Sequence, residues 1–125
     1  MRRAALLLIA LLACGDGSSS PTSPVTTAPV ELQGRWVTVL NATDEQVQLT
    51  LGAGTYQVDR GVNHVTGRIS VSGDRIEFFA STACVGTGAY RWSLTDGALL
   101  LTMIGTDPCP GRRVVLNGYT YTKGP

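Results

Sequence analysis

The chain has few of the residues from which catalytic and metal sites are built. Its 125 residues include one histidine and three cysteines, and 15% of them are charged, against about 25% in an ordinary soluble protein. These numbers exclude most metal cages and most catalytic triads. The net charge is +1, and the basic residues are spread along the chain, unlike those of a nucleic-acid-binding surface. We therefore expect a protein that is not an enzyme and has no cofactor, no bound metal and no nucleic-acid partner.

The chain also lacks a long apolar run at its start. Arg2 and Arg3 precede the apolar residues 4–12. A helix of that length rises about 14 Å, whereas the hydrocarbon core of a bilayer is about 30 Å thick. A basic start before a short apolar run is typical of an export signal, although such a run also occurs in a buried strand or helix. The sequence predicts a signal peptide at residues 1–13.

The apolar run ends in the sequence Leu-Leu-Ala-Cys at residues 11–14. This segment resembles a bacterial lipobox. The resemblance implies cleavage before Cys14, diacylglycerol on its sulfur and an acyl chain on its amino group. Two or more acyl chains anchor a protein durably in a bilayer, whereas one does not. The bilayer is therefore an expected partner, and we expect a protein anchored in the cell membrane or the outer membrane, with its domain in the periplasm or outside the cell.

Residues 14–30 are expected to form a linker. After Cys14 this segment contains three prolines, many serines and threonines, and no aromatic residue. Such a composition buries too little apolar surface to fold alone. The segment is either a spacer between the membrane and the domain or a glycosylated stalk.

Lipidation of Cys14 changes the cysteine count in the rest of the chain. It leaves Cys84 and Cys109, an even pair in an oxidising compartment. A reactive or metal-binding thiol pair is the alternative, but the chain has no Cys-x-x-Cys motif, and the one histidine, His64, is distant in sequence. The sequence favours a structural disulfide between Cys84 and Cys109.

The rest of the chain alternates between apolar and polar residues. Val47, Leu49 and Leu51, for example, are separated by polar residues, which is typical of half-buried antiparallel strands. Gly73 and Asp74 lie between two such runs and indicate a tight hairpin turn. The sequence predicts no helix and eight strands, at residues 35–40, 46–51, 55–60, 65–72, 75–80, 90–94, 98–104 and 113–122.

Eight hairpin-connected strands with one apolar face have to hide that face. The short connections favour an all-β domain at residues 31–125, folded as an antiparallel eight-stranded up-and-down barrel. A barrel of that size is filled by its own side chains or holds one small ligand. Five aromatic residues are expected at or near inward-facing positions, where they pack the core or line a ligand pocket: Trp36, Tyr56, Phe78, Tyr90 and Trp92.

Several short motifs in this domain resemble small bacterial lipocalin-like domains. They are Leu-Gln-Gly-Arg-Trp at residues 32–36, Gly-Ala-Tyr-Arg-Trp at 88–92, Leu-Leu-Leu at 99–101 and Asp-Pro-Cys-Pro-Gly-Arg at 107–112. The resemblance covers about residues 32–123 and implies a lipocalin-like barrel. In lipocalins an arginine near the chain end covers the first-strand tryptophan, and the resemblance gives that role to Arg112 or Arg113 over Trp36.

Two functions remain open from the sequence. The first is a lipid-anchored, lipocalin-like module that binds a small hydrophobic ligand. The second is a module with a filled barrel that binds a protein, either as an inhibitor of a hydrolase or as an assembly factor of the cell envelope. A cavity of a few hundred Å³ favours the first, and a solid interior favours the second.

Overall fold

The predicted alternation appears in the structure as strands with one buried face. The computed structural model describes residues 26–125, so the predicted signal peptide, Cys14 and most of the linker lie outside the described residues. The strands are β1 (Gly34–Val39), β2 (Gln46–Leu51), β3 (Thr55–Arg60), β4 (Asn63–Ser72), β5 (Arg75–Phe79), β6 (Gly88–Thr95), β7 (Ala98–Ile104) and β8 (Thr120–Lys123).

The eight strands form a closed barrel in which sequence neighbours pair antiparallel. The shortest strand, β8, closes it: Tyr121 lies opposite Leu99 of β7, and Lys123 lies opposite Trp36 of β1. The predicted all-β, eight-stranded up-and-down barrel is therefore confirmed, and it fits a lipocalin-like fold. Closure leaves no unpaired sheet edge.

The structure corrects the prediction of one long final strand at residues 113–122 and of no helix. Helix α1 (Pro110–Leu116) precedes β8. It buries Arg112, Val115 and Leu116, whose spacing of three and four residues places them on one helical face. Pro110 is the first residue of the helix, a position that suits its fixed φ.

The two ends of the barrel differ in how they are covered. At the N-terminal end, residues 26–33 cross the opening beside three tight hairpins. The Ala28 amide donates to the Ala53 carbonyl at 2.8 Å, and Thr26 accepts from the Val71 amide at 2.9 Å. At the opposite end, which we call the helix end, α1 and the loops after β1, β3 and β5 surround the opening. Residues 26–30 thus pack against the barrel upstream of Glu31, where the domain was expected to begin.

Trp36 lies beneath residues 26–33, which we call the N-terminal segment. It is 1% exposed, and its indole N–H donates to the Leu32 carbonyl at 2.9 Å. The cation over its ring is Lys123, whose Nζ lies 4.5 Å from the ring centroid. The expectation that Arg112 or Arg113 covers Trp36 is corrected, because both lie at the helix end. Gly34 has a φ of +128°, which side chains with a Cβ rarely adopt, and Lys123 Nζ lies where its Cβ would be.

The predicted disulfide between Cys84 and Cys109 is present, with 5.8 Å between the two Cα atoms. It joins the loop after β5 to the residue before α1. In the chain-entropy description, closing a loop of this size stabilises the fold by about 3 kcal/mol. The covalent link therefore fixes α1 against the loop after β5, which is itself held to β4 by the Thr82 amide donating to the Thr66 carbonyl at 2.9 Å.

Replacing the two tryptophans tests the positions found for them. Trp36→Ala should lower the free energy of unfolding by about 3–5 kcal/mol, because it empties a fully buried site. Trp92 is only half-buried, so Trp92→Ala should cost at least about 1 kcal/mol less. Urea unfolding of both variants measures the difference. Equal losses would contradict the placement of Trp36 under the N-terminal segment.

Candidate functional site

A cavity of about 260 Å³ opens at the helix end of the barrel. Its wall is largely aliphatic and comes from several elements: Val58 from β3, Val65 from β4, Ala83 from the loop after β5 and Val115 from α1. Alternation along β3 turns Tyr56 and Val58 to the same inner face. The cavity therefore exists because α1 covers the barrel only in part.

Five polar side chains also line this cavity. They are Tyr56, Arg60, Asn63, Ser81 and Arg112, and no aspartate or glutamate of residues 26–125 is among the lining residues. Arg60 forms an ion pair with Glu45 at 2.8 Å at the partly exposed rim. Tyr56 and Arg112 lie deeper and are 3% and 5% exposed.

Arg112 forms a buried ion pair with Asp107. Its Nε donates to Asp107 Oδ2 at 2.7 Å and its Nη2 donates to Oδ1 at 2.8 Å, so the pair is bidentate. Asp107 is fully buried. Removing two charges from water is costly, and the cost is offset only when the geometry is good and the remaining polar atoms are also bonded.

Asp107 has further donors around it. The Tyr90 hydroxyl donates to Oδ2 at 2.6 Å, and the Cys109 amide donates to Oδ1 at 2.9 Å. Burial raises the pKa of the Asp107 carboxyl, but the hydrogen bonds from Arg112 and Tyr90 outweigh it and hold that pKa below its ordinary value. Burial and the hydrogen bond to Asp107 raise the pKa of Tyr90. This site is a permanently charged pair at neutral pH.

Glycine at position 88 makes room for this carboxylate. A Cβ there would collide with both carboxylate oxygens of Asp107. Gly88 begins β6, two residues before Tyr90, so the same strand supplies the space for Asp107 and a hydrogen bond to it. The residues at the start of β6 thus accommodate the buried carboxylate of Asp107.

Three aromatic rings continue from this pair into the barrel interior. Phe78 makes edge-to-face contacts with Tyr56 and Tyr90, with ring centroids 4.9 Å and 5.6 Å apart. Each tyrosine carries its hydroxyl to the ion pair, Tyr56 to Arg112 and Tyr90 to Asp107. Such edge-to-face contacts stabilise the rings beyond the effect of their burial. The three rings therefore hold in place the floor of the cavity, which Tyr56 and Arg112 form.

The structure separates the five aromatic residues that were expected to line a pocket. Tyr56 lines the cavity, whereas Phe78 and Tyr90 lie behind it in the core. Trp36 lies at the N-terminal end, and the Trp92 indole donates there to the Gly73 carbonyl at 3.0 Å. Four of the five are therefore packing residues by position, and one reaches the cavity.

Sequence reasoning missed the buried pair and most of the cavity wall. An aspartate beside a proline is common in turns, so the sequence around Asp107 gives no sign that its carboxylate is buried. The signal that was available is the spacing of Asp107 and Arg112 around a disulfide cysteine, but spacing alone does not show burial.

A second polar cluster lies on the outer surface of β3 and β4. His64 Nδ1 is 2.6 Å from Asp59 Oδ1, and Gln57 Nε2 donates to Asp59 Oδ2 at 2.8 Å. The hydrogen bonds from Gln57 and His64 hold the pKa of Asp59 below its ordinary value. His64 is the cross-strand neighbour of Asp59. No nucleophilic side chain among the described residues is hydrogen-bonded to this histidine.

Residues 26–125 contain no group of three or more histidine, cysteine, aspartate or glutamate side chains that could hold a metal ion. No helix in that part of the chain is long and apolar enough to cross a membrane. Comparison with protein-family models, with curated proteins and with solved structures gave no match. The geometry of the site therefore carries the functional argument alone.

Acid unfolding tests the buried carboxylate. Because the pKa of Asp107 is lower in the folded than in the unfolded chain, its stabilising contribution is fully present above the unfolded-state pKa of about 3.9 and is lost as the pH falls through the folded-state pKa. Asp107→Asn should lose about 3–5 kcal/mol of unfolding free energy at neutral pH, because Arg112 stays charged and unpaired. It should also depend less on pH between about pH 5 and about pH 2.

Asp96→Asn is the matched control, since Asp96 is an exposed turn residue and its loss should change the unfolding free energy by less than about 0.5 kcal/mol. Urea unfolding at a series of pH values measures all three proteins. If Asp107→Asn does not fold, an NMR titration of the wild-type Asp107 carboxyl replaces it. A pKa at or above the ordinary value would refute the description of the pair.

Proposed function

We propose that this chain is a lipid-anchored lipoprotein of the cell envelope whose lipocalin-like barrel binds a small apolar ligand without catalysing a reaction. The observation that carries the proposal is the cavity at the helix end. Its aliphatic wall, formed by Val58, Val65, Ala83 and Val115, surrounds a small number of polar groups. This combination is characteristic of ligand sites.

The size of the cavity limits the ligand. A cavity of about 150 Å³ is enough for benzene, and pockets for drug-sized molecules begin at about 300 Å³. At about 260 Å³, the site suits a molecule of about ten non-hydrogen atoms. Leu49, Ile69 and Phe78 lie in the barrel interior and are fully buried, so the interior around them is packed.

The chain enters the barrel at the end opposite the cavity. Thr26 lies at the N-terminal end of the barrel, twelve positions after Cys14. Twelve residues span at most about 40 Å. An acylated Cys14 would thus hold the N-terminal end nearest the membrane, and the cavity would open on the aqueous side. A ligand would then arrive from the periplasm or the exterior, and not from the anchoring bilayer.

Toluene is a suitable first probe of the cavity. The chain from Gly15 onward keeps every described residue and should bind toluene with a dissociation constant on the order of 1 mM, within the affinity limit for a ligand of seven carbon atoms. Val65→Phe should abolish binding by filling the cavity. The matched control is Val30→Phe, an exposed site at the N-terminal end. Toluene-induced NMR shifts give the result, and shifts that are absent, or that persist in Val65→Phe, would rule out the cavity as the site.

The anchor has its own test. Cys14→Ser should release the protein from the membrane fraction, because it removes the sulfur to which diacylglycerol is attached. The barrel should stay folded, since its strand pairing lies within residues 34–123. Membrane fractionation with circular dichroism of the released protein measures both effects. Equal amounts of variant and wild type in the membrane pellet would show that Cys14 is not the anchor.

The filled barrel centre favours the second function, a protein-binding module. Val62 and Val85 lie in loops of the helix end and are 99% and 88% exposed. Exposed apolar side chains at loop tips suit a contact with another protein. Binding of an envelope protein without binding of toluene would favour this function over the first.

A further inference from the structure

Two hydrogen-bond donors at the cavity floor have no acceptor within the described chain. We propose that the cavity selects a small amphiphilic carboxylate, whose alkyl or aryl part contacts the aliphatic wall and whose carboxylate accepts hydrogen bonds from Arg112 and Tyr56. This inference rests on the proposed binding of an apolar ligand and adds the chemical class of its polar end.

The first donor belongs to Arg112. A guanidinium carries five N–H groups. Nε and Nη2 account for three of them, because Nη2 donates both to Asp107 and to the Gly86 carbonyl, the latter at 3.2 Å. Nη1 carries the other two and makes a single bond, to the Tyr56 hydroxyl at 3.3 Å. One N–H of a side chain that is 3% exposed therefore donates to no acceptor in residues 26–125.

The second donor is the Tyr56 hydroxyl. Its oxygen accepts from Arg112, but its own proton goes to no acceptor in the described part of the protein. Tyr56 is 3% exposed. Burying a donor without a partner is costly in free energy. Two such donors on side chains that are in contact, both lining one cavity, indicate a ligand that carries an acceptor. Arg112 can only donate and the Tyr56 hydroxyl has a free proton, so a carboxylate, which only accepts, satisfies both donors better than a ligand hydroxyl or amine.

The charges around the floor favour an anion over a neutral carbonyl. The two lining arginines, Arg60 and Arg112, are each paired with a carboxylate that does not line the cavity. Arg113 also lies against the pair, with its Nη1 donating to the Asp107 carbonyl at 3.2 Å. Asp107 is thus one buried negative charge beside two guanidinium groups, and its two oxygens already accept four hydrogen bonds. A ligand carboxylate would bring the floor to neutrality.

Octanoate is the probe of this class that fits the cavity, since it has ten non-hydrogen atoms. Calorimetric titration of the chain from Gly15 onward at pH 7 should give a dissociation constant at least tenfold below that of toluene. Tyr56→Phe should weaken octanoate about tenfold, the effect of losing one hydrogen bond to a charged group. Toluene affinity should change less than about twofold, because the ring remains.

The matched control is Tyr119→Phe. Tyr119 also lies at the helix end, where its hydroxyl accepts from the Asn41 amide at 3.3 Å, but it does not line the cavity. Its loss should leave the affinity for both probes unchanged. If Tyr56→Phe fails to fold, octanoate labelled with ¹³C at the carboxyl carbon gives the answer in the wild type. The pKa of its carboxyl should fall on binding, since guanidinium and hydroxyl donors favour the ionised form.

The outcomes separate the two proposals. If toluene binds and octanoate binds no more tightly, the proposal of a carboxylate ligand is overturned. The same follows if Tyr56→Phe does not weaken octanoate binding. Neither result affects the proposed apolar site. Binding of neither probe overturns both. Octanoate binding that survives in Val65→Phe places the carboxylate outside the cavity and overturns this inference.

Discussion

The bidentate contact between Arg112 and Asp107 is the constraint on which the helix end depends. Both charges are buried, and each is stable there only because the other is present. Asp107 also fixes Tyr90 of β6, and Arg112 also contacts Tyr56 of β3 and the Gly86 carbonyl. We infer that the pair contributes more to the position of α1 than to the net stability of the fold, because a well-packed apolar pair often stabilises as much.

The two ends of the barrel are closed by different physical means. At the N-terminal end, Leu32 and Trp36 supply apolar burial and an indole hydrogen bond, and two backbone hydrogen bonds join residues 26–28 to Ala53 and Val71. At the helix end, the disulfide at Cys109 and the ion pair at Asp107 act on the same short segment. Cross-links hold a loop in place without filling the space behind it, so this end is where a cavity persists.

Much of the barrel was predictable because strand alternation is a local signal. Seven strands lie where the sequence placed them, since their apolar residues recur with period two. The prediction for the region before β8 was wrong because a short apolar run such as residues 114–116 fits a strand and a helix equally well. Pro110, and Gly118 just after the helix end, were the available helix signals. The cation over Trp36 depends on the register of β8 against β1, which no local pattern reveals.

The site was predictable only where it follows from a strand. Tyr56 reaches the cavity because alternation turns it inward. The charged floor depends on the convergence of β3, β6 and α1, and sequence periodicity does not contain that information. A guanidinium has more N–H groups than one carboxylate accepts, so the buried ion pair leaves an Arg112 N–H without an acceptor in the described chain. Because α1 covers the barrel only in part, this N–H lies at an aliphatic cavity and not in the packed core. The polar end of the site is thus a by-product of how the helix is held.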